Sequence, residues 1–298
     1  MKYDVASQSD VGQVRSKNED SFLVDEALNL FIVADGMGGY EKGEVASQIA
    51  CQSIYQFIKE ALTTSPVLSK SQLLDAAQKA NANIRKNISE SPNKGKMGST
   101  VVTLWLNGDK ALILNIGDSR GYRFRNGKLE QISVDHSLVQ ETKAAGIKKE
   151  LAPQFKNIVT RALGMKESVE GDVFSEKLHN GDLFLLCTDG LHGMVPEEKI
   201  VEILSKGQDI TSQLSEVIAQ ANKEGGKDNI TGILIKIREC DSSHKRKEVT
   251  ETFQIPAYQL KAFNEKKEPS VLFKILTFIL IIMAVALSVL ILFREKLL

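Results

Sequence analysis

Four strand-like runs between Thr100 and Ser133 are joined by connections of only a few residues, and this spacing restricts the fold more than any other feature. Thr100–Leu106 leads through Asn107-Gly108-Asp109 into Lys110–Ile116, and Arg120–Arg125 leads through Asn126-Gly127-Lys128 into Leu129–Ser133. Asn-Gly at such a join is a hairpin signal, because both residues tolerate positive φ. Parallel strands need a crossover of a dozen or more residues. These runs therefore pair antiparallel and argue against a doubly wound parallel sheet. Leu28–Ala34, Leu183–Cys187 and Ile230–Ile237 are further apolar runs with strand character.

Between the strand runs lie segments with helical periodicity. Glu44–Leu62 carries Val45, Ile49, Ile54, Phe57 and Ile58, and Gln72–Ile88 carries Leu73, Ala77, Ala80, Ile84 and Ile88. Ser137–Ala145, Pro196–Leu204 and Ile210–Asn222 are expected to be shorter helices, with Pro196 in a first turn. Helices alternating with antiparallel strands predict an α+β fold: an antiparallel β-sandwich flanked by helices, in α-β-β-α layers.

The chain has 298 residues, and residues 1–240 read as one domain. Residues 241–270 are polar and charged and read as a juxtamembrane linker. From Ile275 to Phe293 nineteen residues carry no charge, and only Thr277 and Ser288 are polar. At about 1.5 Å per residue such a helix covers roughly 28 Å, close to a bilayer's hydrocarbon core. A transmembrane helix is expected over 271–293, with a short tail at 294–298. A buried core helix is the competing reading, but it would show a polar stripe, which this run lacks. Lys261, Lys266, Lys267 and Lys274 precede the run, whereas Arg294 and Lys296 follow it. The positive-inside rule then favours residues 1–240 in the cytoplasm, as expected of a single-pass membrane protein contacting lipid through its C-terminal helix. The N-terminal MKYDVASQSD has no secretory h-region. Lys+Arg and Asp+Glu both number 38, so no basic field argues for nucleic acid. Cys51, Cys187 and Cys240 are scattered without zinc spacing, as in a reducing compartment.

The candidate chemistry lies in acidic residues beside strand runs: Asp35 in VADGMGG, Asp118 in NIGDSRG, Asp189 in CTDGL and Asp228 in GGKDNIT. One Asp-Gly is first a turn signal. Four carboxylates converging would repel one another unless a cation joined them, and hard Mg²⁺ or Mn²⁺ are the natural partners.

These segments, with SDVGQVRSKNEDSF, DGMGGYEKGEVAS, MGSTVV, NIGDSRGYRFRNG, LLCTDGL and KDNIT, resemble motifs of the metal-dependent protein phosphatases (type 2C), in their bacterial form. The resemblance runs from about Asp10 to Arg238. It implies hydrolysis of phosphoserine and phosphothreonine on proteins by a water activated between two Mn²⁺ or Mg²⁺ ions. Asp35 is implied to bridge the metals with the Gly36 carbonyl as a further ligand, and Asp189 and Asp228 to complete a site. Glu19 and Asp20 are implied to lie near the metals through waters, Asp118 to join Asp189 at a third site, and Arg15 to hold the substrate phosphate. Arg suits that role because its fork makes two parallel hydrogen bonds. Phosphorylated proteins are the implied partners, with a membrane Ser/Thr kinase suggested by the anchor alone.

One position departs from the animal branch, where a His proposed as general acid follows the bridging Asp-Gly; here it is Met37. His136 and His192 are alternatives, each open to a packing role instead. Asp135, Ser99 and Thr100 are candidate supports for the site. Ser133–Lys156 resembles the flap beside the family's active site. The rival to an enzyme is a non-catalytic, phosphatase-like sensor that captures phosphoproteins.

Overall fold

The structure is a computed structural model, and it describes residues 1–38, 42–90, 96–147, 152, 155 and 158–240. The expected linker, membrane span and tail lie outside the described residues. Among the described residues no helix is long and apolar enough to cross a membrane.

The strands are β1 (Lys2–Asp10), β2 (Asp20–Asp25), β3 (Leu30–Gly38), β4 (Met97–Ser99), β5 (Val101–Asn107), β6 (Lys110–Ile116), β7 (Arg120–Arg125), β8 (Lys128–Gln131), β9 (Asp172–Lys177), β10 (Leu183–Cys187) and β11 (Ile230–Glu239). The helices are α1 (Gly43–Thr64), α2 (Lys70–Glu90), α3 (Leu138–Ala144), α4 (Asp189–His192), α5 (Glu197–Leu204) and α6 (Ile210–Lys223). One sheet runs β1-β11-β10-β7-β8; the other runs β2-β3-β5-β6-β9, with β4 on β3. All the named pairings are antiparallel.

Side-chain alternation along the strands explains the layers. In β3, Phe31 and Val33 face the other sheet, where they meet Phe184, Leu186, Ile233 and Ile235. Leu30, Ile32 and Ala34 face α1 and α2, among Ile54, Ile58, Leu73 and Ile84. On the opposite outer face, Leu183, Leu185 and Leu234 pack under Leu191, Ile200 and Leu214 of α4–α6. Strands buried on both faces need continuous apolar sequence, hence their legibility.

The hairpins form as expected: Asn107 pairs with Lys110 and Arg125 with Lys128, each across a two-residue loop. Asn126 (φ 53°) and Gly127 (φ 75°) are both left-handed, the conformation an Asn-Gly turn supplies. Four strands escaped the pattern. β1, β2 and β9 lie at sheet edges, are partly exposed and mix polar with apolar residues. β4 has only three residues. The helix expected from Pro196 begins at Glu197, with Pro196 as its N-cap. The cysteines are free, with Cys51 and Cys187 buried.

The antiparallel registers gather one end of both sheets. Asp10 pairs with Ile230, Asp20 with Asp35, Val101 with Ile116, and Cys187 with Gly232. The last residues of β6 and β10 and the first of β2, β5 and β11 thus share one rim. β11 then runs from that rim to Cys240 at the far end.

Candidate active site

Asp35 was expected at a strand end, yet it lies inside β3, which continues because Gly36–Gly38 pair with β4. Its backbone is clamped from both sides. Its N–H donates to Thr100 Oγ1 (3.1 Å), and its carbonyl accepts from Thr100 N (2.9 Å) and Ser99 Oγ (3.0 Å). Thr100 Oγ1 also lies 2.6 Å from Ser119 Oγ, beside Asp118. Ser99 and Thr100 therefore both fix the backbone of Asp35. Gly117 shapes the Asp118 loop: at φ 104°, its hypothetical Cβ would stand 2.6 Å from the Thr100 side chain.

Asp20 is cross-strand from Asp35, an unfavourable position for two like charges. Its Oδ2 accepts from Thr188 Oγ1 at 2.9 Å. Asp189 follows Thr188 and opens α4. Asp228 accepts from Arg15 Nη2 (2.7 Å) and from Asn229 N (2.9 Å). Gly36 admits no side chain: a Cβ there would lie 2.0 Å from the Gly43 carbonyl. The Gly36 carbonyl and the Glu19 carboxylate both crowd the α-carbon of Gly43, each 2.6 Å from where a Cβ would stand. Two expected oxygen donors thus meet where α1 begins.

The carboxylates raise one another's pKa. Asp35 is held well above the usual range, first by burial, then by Asp20, Asp189, Asp118 and Asp228. Burial pushes Asp20 up to about 7 against hydrogen bonds from Thr231 and Thr188, with Asp189 and Asp228 adding to the rise. Asp118 also rises to about 7, through burial and Asp189. Asp189 is raised by burial and then Asp228. Glu19 is raised mainly by burial. The structure therefore brings Asp20, Asp35, Asp118, Asp189 and Asp228 within electrostatic reach, with Glu19 and Arg15 beside them.

A divalent cation fits this donor set. The Oδ1 of Asp189 is buried without a hydrogen-bond partner among the described residues, a costly state that a cation would relieve. The donors are hard oxygens. Among the described residues no three acidic, His or Cys side chains stand grouped closely enough to hold a cation by themselves; Mg²⁺ commonly takes only one or two carboxylates and keeps several waters.

Arg15 reaches Asp228 with its side chain 51% exposed, so part of its fork remains turned to solvent. Its loop is fixed by Asn229, whose amide donates to Val11 O (2.9 Å) and Lys17 O (2.8 Å) while its Oδ1 accepts from Glu19 N (2.8 Å). Sequence reasoning gave Asn229 no role, although its place directly after Asp228 was a usable signal. Thr188, directly before Asp189, was missed in the same way.

Both weighed histidines hold backbone. His192 donates Nε2–H to Asp118 O (2.9 Å), and burial and then Arg120 lower its pKa to about 4, so it is neutral. His136 accepts from Gly117 N at Nδ1 (3.1 Å), which leaves Nε2–H for Asp172 Oδ2 (3.1 Å). Met37 sits half-buried opposite Gly98 in the β3–β4 ladder. Asp135 grips Arg120 through both oxygens, at 2.9 and 2.7 Å.

A cleft of about 780 Å³ opens from Asp118, Asp189 and Asp228 and extends past Arg120 and Asp135 to α3 and the start of α5.

Residues 12–234 match the family described as protein phosphatase 2C. The chain is 39% identical over 239 residues to the serine/threonine phosphatase stp of Listeria monocytogenes, covering 77% of this chain and 94% of that protein. Its fold is similar to the solved serine/threonine phosphatase PstP/Ppp of Mycobacterium tuberculosis, with a TM-score of 0.71 and 31% identity over 80% of this chain and 99% of that one. A structure of the PstP catalytic domain in complex with two manganese ions is also similar, at 31% identity and a TM-score of 0.69, over 80% and 99% of the two chains.

Proposed function

This chain belongs to the protein phosphatase 2C family and is a metal-dependent serine/threonine phosphatase using Mn²⁺ or Mg²⁺; we propose that its cations are held by the carboxylate rim described above. Asp35, the Gly36 carbonyl, Asp189 and Asp228 would hold two ions, with Glu19 and Asp20 at their periphery and Asp118 with Asp189 at a third site. Two such ions, when bound, acidify water and offset phosphoryl charge.

The chain's own residues do the rest. Arg15 binds the substrate phosphate through the part of its guanidinium not engaged by Asp228, and Asn229 sets the reach of that arm. Ser99 and Thr100 fix Asp35, so its carboxylate needs no reorganisation during the reaction. Thr188 orients Asp20, and His192 holds the Asp118 backbone with the only proton of a neutral ring. Met37 offers no proton.

The observation that carries this reading is the buried, unpartnered Oδ1 of Asp189 within carboxylates that raise one another's pKa. Purified protein with Mn²⁺ should release phosphate from a phosphothreonine peptide, and Asp35→Asn should remove both the release and calorimetric Mn²⁺ binding. Unchanged Mn²⁺ stoichiometry and rate in that variant would reject the assignment.

The remaining organisation is also proposed: a catalytic domain over 1–240, a linker over 241–270, a single membrane span over 271–293 and a tail over 294–298, with the domain on the cytoplasmic side. The uncharged run Ile275–Phe293 and the lysines before it support this. Substrates at the inner membrane face, a Ser/Thr kinase among them, follow from that placement. Deleting residues 271–298 should release the protein from carbonate-washed membranes. Retention in the pellet would sink the anchor.

A further inference from the structure

Arg15 does not line the cleft, so the cleft leads away from the arm assigned to the phosphate. It is where the residues flanking a phosphorylated side chain would lie. Most charges along it have partners. Asp135 is paired with Arg120, Asp228 with Arg15, and Glu197 lies 4.0 Å from Arg120. Asp118 and Asp189 belong to the cation-holding rim. Two cations remain: Lys143 in the last turn of α3, and Lys227 in the loop that ends at Asp228. Both are exposed, and neither ammonium group has a hydrogen bond or ion pair among the described residues.

We propose that Lys143 and Lys227, facing one cleft from separate elements, form a cationic subsite that selects substrates bearing an acidic side chain near the phosphorylated residue. This rests on the phosphatase reading above. Exposed ammonium groups act over a short range and are screened by salt, so the discrimination is modest, about fivefold. It should act mainly through encounter and binding rather than turnover.

The test uses the full chain in detergent with Mn²⁺ and a phosphothreonine peptide whose other residues are neutral. One Asp is walked through the three positions on either side. At one position or two adjacent ones, Asp should raise kcat/KM about fivefold through KM. That ratio should fall to near one in the Lys143→Ala/Lys227→Ala double variant and in high salt. Lys227→Glu should reverse the preference toward a Lys-bearing peptide. The proposal is overturned if no position discriminates in the wild-type protein, or if the ratio survives in the double variant. A parallel fall on p-nitrophenyl phosphate, which has no flanking residue, would overturn it too, by placing the lysines on the phosphate. Absence of phosphate release from every peptide would instead remove the protein-phosphatase reading, and this inference with it.

Discussion

Among single residues, Asn229 shows how much of the rim is held by amides rather than acids. Its side chain makes three bonds to backbone around Arg15 and Glu19, across more than two hundred residues of sequence. Asn229→Ala removes the bonds its side chain makes to two carbonyls and one N–H, at a cost of about 2–3 kcal/mol. It also frees the Arg15 arm. We expect kcat/KM on a phosphothreonine peptide to fall about tenfold or more, largely through KM. Steady-state kinetics beside a thermal melt would separate the two effects, and an unchanged KM would show that Arg15 is positioned otherwise. The acidic positions were legible because Asp beside Gly at the edge of an apolar run is a local pattern. The partners of those acids were not: nothing local tells Thr188 that it faces Asp20, or Asn229 that it faces Glu19.

At the scale of the elements, legibility followed burial. β5, β6 and β10 are apolar on both faces and read as continuous runs. β1, β2 and β9 sit at edges, where half-exposed strands resemble loops, and β4 is held by long-range pairing with Gly36–Gly38 and Leu163. That long-range pairing also carried β3 beyond Asp35. Turn chemistry, by contrast, is local, and the β7–β8 hairpin offers a clean check. A Cβ on Gly127 would meet nothing within 4 Å, yet its φ is 75°. Gly127→Ala should therefore cost about 1 kcal/mol through backbone strain alone. Equilibrium denaturation should show the loss with an unaltered m-value; no change would mean that the turn relaxes freely.

At the scale of the whole molecule, the metal-free rim opposes folding as pH rises. Asp20 and Asp118 titrate near 7 when folded and near 3.8 when unfolded. Between those values the folded form binds more protons, so stability is greatest toward pH 4 and declines as pH approaches 7. Asp35 and Asp189 are shifted in the same direction. His192 opposes them, since it titrates near 4 folded and 6.5 unfolded, but it is one group against several. In chelator, the melting temperature should fall from pH 5 to pH 7.5. With saturating Mn²⁺ the trend should flatten or reverse, because cations require ionised carboxylates. A chelated protein that melts higher at pH 7.5 would contradict this picture. The course of β11 has a different outcome. The strand ends a full sheet-length away from the acidic rim, so a fluorophore attached at Cys240 would report on the protein from a point remote from bound targets and leave their approach unobstructed.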